Sequence, residues 1–139
     1  MVEKEFVAKI EQLPNVISFI ESELEKMEFS FKIITQFNLV VEELFVNIAN
    51  YAYKDNEDGK CKITIDYNKE KQEVILFIED NGVKFNPLDN VEPDTTLSLD
   101  ERQIGGLGIL LVKKNMDHIE YKYENNKNIL TLTKNVKEN

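Results

Sequence analysis

Short groups of residues in this 139-residue chain are of the types that can do chemistry. Glu43 and Asn47 stand four apart inside the apolar run from Val40 to Tyr53, so on a helix they share one face, with Asn50 at the next turn. Burying a carboxylate or an amide without partners is costly, so that face is either a solvated stripe or the wall of a cleft. An amide oxygen such as that of Asn47 suits magnesium, which keeps several waters and takes only one or two protein ligands beside phosphate groups. Asp80-Asn81-Gly82 ends an apolar strand pattern, delivering a carboxylate to the end of a sheet next to a glycine that lets the backbone run close to a ligand. Gly105-Gly106-Leu107-Gly108 opens an apolar helix pattern, where backbone amides and the helix dipole favour phosphates. Arg102, the only arginine of the chain, precedes that cluster by three residues and carries a fixed fork for phosphate oxygens. Each group alone has an ordinary alternative: a solvated helix face, a capping aspartate in a turn, a flexible hinge, a solvated loop arginine. Their occurrence in this order is much less common.

The elements that position these groups can be read from periodicity. Residues 3–10 alternate, with Phe6, Ala8 and Ile10 on one face, and read as a first strand at the sheet edge. Pro14 stands where helices begin, and Val16, Ile17, Ile20, Leu24 and Met27 recur at helical spacing, which gives an amphipathic surface helix. A second helix is expected from about Ser30 to Tyr53, roughly 35 Å long. It is apolar around most of its circumference and so should lie across the sheet. Residues 55–59 read as a turn. Strands over 62–67 and 74–79 follow, joined by a hairpin through 68–72. Residues 86–104 lose periodicity; a loop of this length in a compact domain is often a lid, although its composition suits an idle loop equally. A helix over 109–116 and a hairpin of strands 119–123 and 129–133, turning through 125–128, close the chain. The expected fold is an α/β (α+β) two-layer sandwich: one mixed, mainly antiparallel sheet with helices on one face.

On these residues the chain resembles the GHKL ATP-binding family, whose fold is the Bergerat fold, and within it the small anti-sigma-factor serine kinases. Glu43-Leu44-Phe45-Val46-Asn47 resembles the family's N box, Asp80 through Pro87 its first glycine box, and Gly105-Gly106-Leu107-Gly108-Ile109 its second. The resemblance implies that the chain binds ATP and Mg2+, with Asn47 on the metal and Glu43 as the catalytic carboxylate. It implies that Asp80 accepts from the adenine amine with Gly82 beneath the base, that Gly105, Gly106, Leu107 and Gly108 approach the phosphates, and that residues 86–104 are the lid over the nucleotide; Arg102, by its chemistry and place, is then a candidate γ-phosphate contact from that lid. Thr131 or Thr133 on the last strand would supply the hydroxyl that the family uses near adenine, with Thr131 the candidate. Two departures stand out: Lys84 occupies a position where the family often has Gly or Pro, and the familiar Gly-Thr pair of the last strands is missing. The activity implied is phosphorylation of a serine on an anti-sigma-factor antagonist domain, with a sigma factor as a further partner and pairing as a homodimer. The alternatives are a nucleotide-gated protein-binding module and a slow stand-alone ATPase, and the chain alone does not separate serine from water as the acceptor.

Length and composition narrow the class further. A chain of this length suits a single domain over residues 1–139, without room for the added domains of gyrase-like or Hsp90-like relatives. The only histidine, His118, follows all three boxes, which argues against a sensor kinase with an upstream phospho-acceptor histidine. The net charge of -9, without a basic patch, argues against nucleic acid. Polar residues interrupt the longest apolar run and the N-terminus resembles no signal peptide, so neither a membrane nor secretion is expected and the cytoplasm is the expected location. Cys61 is alone, so neither a disulfide framework nor a cysteine metal site is expected.

Overall fold

The computed structural model describes residues 1–54, 58–89 and 106–137. Five strands form one sheet in the order β1-β2-β3-β5-β4: β1 (Val2–Val7), β2 (Lys60–Asn68), β3 (Glu73–Asp80), β4 (His118–Glu124) and β5 (Lys127–Asn135). Every pairing among the described residues is antiparallel, so their sheet, expected to be mixed and mainly antiparallel, is antiparallel throughout. The reason is connectivity: β2–β3 and β4–β5 are hairpins, and the two longer excursions return their strands antiparallel to a neighbour. Strand β1 lies at the edge, as expected, but ends at Val7. There the chain turns, with Lys9 N–H donating to Val7 O and a 3-10 turn over Ile10–Gln12, and this leaves Ile10 exposed rather than on the strand.

Among the described residues, three helices cover one face. Helix α1 (Leu13–Lys26) begins around Pro14 and buries Val16, Ile20 and Leu24, a stripe at the expected spacing. Helix α2 (Phe31–Asn47) is capped by Ser30, whose Oγ accepts from Ile33 N–H at 3.3 Å. It buries Phe37, Val40, Val41, Leu44 and Phe45. Helix α3 (Gly106–Asn115) sets Ile109 and Val112 on the sheet, with Met116 just beyond its end. Facing them are Ile63 and Ile65 of β2, Leu76 and Ile78 of β3, and Leu130 and Leu132 of β5, all buried. At about 1.5–3 kcal/mol for each large apolar side chain, this shared core is the main force holding α2 across the sheet.

The long helix does not run regularly to Tyr53. After Asn47 it widens into a π-helical turn, Ile48–Ala52, and Tyr53 is extended. Such turns occur at functional sites because they re-aim side chains relative to the preceding helix. A further boundary that differs is the last turn. Asn125 and Asn126 both adopt positive φ, 54° and 60°, which makes a tight two-residue hairpin of the kind asparagine tolerates. Strand β5 therefore starts at Lys127, and Asn128 belongs to the sheet.

Candidate functional site

Asp80 ends β3 on the helix-covered face and pairs directly with Asn128 of β5. Both are buried, at 7% and 6% exposure. A buried carboxylate needs donors, and two converge on its Oδ1: Gly82 N–H at 2.8 Å and Asn128 Nδ2 at 2.9 Å. The other oxygen, Oδ2, has no hydrogen-bond partner among the described residues, and Asp80 lines a cleft. Burial pushes the Asp80 carboxyl above its ordinary range, and the bonds from Asn128 and Gly82 pull it partly back. Asn128 uses its whole amide. Nδ2 donates also to Val83 O at 2.8 Å, while Oδ1 accepts from Phe85 N–H at 3.1 Å and from the Tyr121 hydroxyl at 2.6 Å. One side chain thus fixes the carboxylate and the loop after it.

The end of the α2 excursion is fastened to the same loop. Val83 N–H donates to Ala52 O at 2.9 Å, and the Tyr53 hydroxyl donates to Lys60 O at 2.6 Å while accepting from Asn81 N–H at 2.8 Å. Gly82 is required here by proximity, since a Cβ would lie 2.6 Å from the Ala52 Cβ and closer still to the Ala52 carbonyl oxygen. Cys61, the partner of Asp80 on β2, is fully buried, and burial first of all pushes its thiol pKa up, so it is inert as a nucleophile.

The cleft holds about 140 Å³. Ile78 and Leu130 floor it beside Asp80 and Asn128, Leu44 and Ile48 form the helix wall, and half-exposed Tyr51 and Phe85 stand at its mouth. A mainly apolar slot with one buried carboxylate at its end suits a flat heterocycle carrying an amine donor. Asn47 lines the same cleft, is half-buried, and has no side-chain hydrogen bond among the described residues. Glu43, one turn back along α2, does not line the slot. It lies against the first turn of α3, where a Cβ on Gly108 would overlap its carboxylate. From Ala52 to Glu43 the chain covers roughly 13 Å at helical rise. Base-sized slot, amide oxygen, carboxylate and helix N-terminus therefore follow one another along a single element, an arrangement for a long ligand with an apolar head and an anionic tail. No group of three or more His, Cys, Asp or Glu able to hold a metal occurs among the described residues.

The structure thus brings together Glu43, Asn47, Asp80, Gly82 and Gly108. Gly106 and Leu107 start α3, with their backbone in its first turn. Gly105, Arg102 and residues 90–104 of the expected lid lie outside the described residues, while its first residues form a 3-10 turn, Pro87–Asp89, with Pro87 lining the cleft. Thr131 is not brought to the cleft. On β5 the residues alternate, so Asn128, Leu130 and Leu132 face the helices and Thr131 faces the opposite side, in register with Phe77 and Glu120. The polar group of the last strand that reaches Asp80 is Asn128. Sequence reading missed it because a run of asparagines reads as turn; the two-residue hairpin signal of Asn125-Asn126 could have placed it in the strand.

Residues 6–134 match the family model described as histidine kinase-like ATPase domain. The serine/threonine-protein kinase BtrW of Bordetella bronchiseptica is 32% identical over 95 residues, covering 68% of this chain and 66% of BtrW. The serine-protein kinase RsbW of Listeria innocua is 27% identical over 114 residues, covering 79% of this chain and 71% of RsbW. Among solved structures, one of the RsbU and RsbW domains of a Mycobacterium tuberculosis protein superposes with a TM-score of 0.69 at 11% identity, over all of this chain and 34% of that one. The SiaB–SiaC complex of Pseudomonas aeruginosa gives 0.62 at 13% identity, covering 96% of this chain and 89% of the other. These two likenesses show the fold, an antiparallel sheet covered by helices on one face. The chain spans slightly less than two thirds of BtrW.

Proposed function

The chain belongs to the histidine kinase-like ATPase domain family, and from that premise we propose that it is an ATP-dependent serine protein kinase of the anti-sigma-factor type. The observation that carries this reading is the line of groups along α2 and its π-turn: Ala52 packed against Gly82 beside Asp80, Asn47 on the cleft wall, and Glu43 against Gly108. Asp80 accepts from the exocyclic amine of adenine through Oδ2, a position at which guanine presents a carbonyl instead. Asn47 would hold Mg2+ by its amide oxygen, and the ion when bound would neutralise charge on the phosphates. Gly105, Gly106, Leu107 and Gly108 admit the phosphates to the α3 N-terminus, and Arg102 reaches the γ-phosphate.

Glu43 then orients the attacking hydroxyl and takes its proton. The serine Oγ forms a bond to the γ-phosphorus, the bond from that phosphorus to the bridging oxygen breaks, and ADP leaves. Such catalysis rests chiefly on alignment and charge stabilisation, so a slow rate is compatible with it. The protein substrate is a small anti-sigma-factor antagonist domain. The names of RsbW and BtrW support a serine kinase, and the solved complex of SiaB with SiaC supports a protein partner at this fold. A sigma factor as second partner, pairing as a homodimer and a cytoplasmic location complete the proposal; no helix among the described residues is long and apolar enough to cross a membrane.

The test is the intact mass of a candidate antagonist domain after incubation with the protein and magnesium-ATP, beside Glu43→Gln. The expected result is one added phosphate with the unaltered protein and a rate lower by about 10²–10⁴ in the variant, with ADP affinity retained. If ATP binds, the antagonist forms a complex and no phosphate appears, the chain is a nucleotide-gated binding module. Phosphate release without transfer would make it an ATPase.

A further inference from the structure

Lys84 is the residue that departs from the pattern of the first glycine box, and its surroundings give it a role. Its neighbours on both sides are pinned by one side chain, since Asn128 Nδ2 bonds Val83 O and Asn128 Oδ1 bonds Phe85 N–H. The same Nδ2 bonds Asp80 Oδ1. The backbone that carries Lys84 is therefore held one amide away from the base-reading carboxylate. Lys84 lines the cleft, and its Nζ rests 5.3 Å from the centre of the Tyr123 ring. Tyr123 stands opposite Asn128, which stands opposite Asp80, so ring and carboxylate occupy one row of the sheet, about 10 Å apart across β5. Among the described residues no carboxylate pairs with Lys84, in contrast to Lys9, Lys26, Lys62 and Lys122. A cation held only by an exposed aromatic face is weakly held, and its long stem is free to move to a better acceptor.

We propose that Lys84 is a second base-reading residue, donating from Nζ to a ring nitrogen of adenine while Asp80 accepts from the adjacent amine. The inference rests on the reading of the cleft as an adenine site. An acceptor next to a donor matches adenine, which presents its 6-amino group between the acceptors N1 and N7. A single carboxylate reads only the amine, and a cation beside it adds the complementary half.

The test compares Lys84→Met with the unaltered protein, because methionine keeps the stem against Tyr123 and removes the charge. Binding of adenosine, ADP, 1-deazaadenosine and 7-deazaadenosine is measured by calorimetry, with Asp80→Asn alongside. The expected result is a loss of about three- to tenfold for adenosine and ADP alike, of the size of a hydrogen bond from a charged group offset by the lost ring contact. One of the two deaza analogues should bind the unaltered protein more weakly and show no further loss in Lys84→Met. Three results overturn the proposal: no loss, an equal loss with adenosine and both deaza analogues, or a loss with ADP alone, which would assign the lysine to phosphate. If instead Asp80→Asn binds adenosine as well as the unaltered protein does, the adenine reading of the cleft itself fails, whatever Lys84→Met shows.

Discussion

Asn128→Ala removes the hub of the cleft, and its cost can be worked from the bonds lost. The bond to Asp80 serves a buried carboxylate and is of the charge-assisted kind, about 1.5–3 kcal/mol. The remaining bonds involve Val83, Phe85 and Tyr121. Val83 and Phe85 are 57% and 50% exposed, so water replaces much of what is lost there, and each bond counts for about 0.5 kcal/mol. The sum is roughly 3–4.5 kcal/mol, a large share of the 5–15 kcal/mol that ordinarily separates folded from unfolded chains. Asp80 keeps only the Gly82 N–H, and with the Asn128 bond gone its carboxyl rises further above the ordinary range. ADP affinity should fall by at least about tenfold, because the acceptor is both loosened and more readily protonated. Urea unfolding gives the first quantity and calorimetry the second. A variant that loses less than about 1 kcal/mol and binds ADP normally would refute the assignment of Asn128 as the group that orients Asp80.

Two further perturbations follow from the same geometry. Gly108→Ala sets a methyl group onto the Glu43 carboxylate, so Glu43 must swing away; phosphate transfer should drop by at least about tenfold while adenosine, bound at the far end of α2, keeps its affinity, and a parallel loss of adenosine binding would show that the two ends are not separate. Asp80, with its carboxyl raised by burial, loses its acceptor as pH falls, so adenosine affinity should decline at a pH above the usual aspartate range, and Asp80→Asn should flatten that decline. Stability moves in the opposite sense. The native state holds this proton more tightly than the unfolded chain, so the Asp80 contribution is fully present below the ordinary aspartate pKa and is lost as pH rises through the raised value, which unfolding titrations of the protein and Asp80→Asn would reveal.

The elements that carry the core were legible because burial imposes a period. Val16, Ile20 and Leu24 mark one face of α1, and Ile63 and Ile65 alternate with Lys62 and Asp66, so helix and strand follow from which residues must leave water. The pairing of Glu43 with Asn47 was legible for the same reason, since an apolar helix that tolerates both must open one side of itself. Their distance to Asp80 was not. It depends on the π-turn over Ile48–Ala52, which no propensity marks, and on the missing Cβ of Gly82, which lets the Ala52 carbonyl come close and accept from Val83 N–H.

Thr131 and Asn128 show how a shift of a few residues in one turn changes a site. If the hairpin closes through four residues, the strand begins at Ile129 and a threonine is its nearest polar group. If Asn125 and Asn126 close it alone with positive φ, Asn128 enters the ladder opposite Asp80, and the parity of the strand turns Thr131 to the far side. An asparagine there satisfies more partners than a hydroxyl would, with two donors and an acceptor spread over Asp80, Val83, Phe85 and Tyr121. The loop after Asp80 is held by Asn128 on both sides of Lys84, and a loop held in this way carries the long cationic side chain along the cleft wall, with its Nζ over the Tyr123 ring.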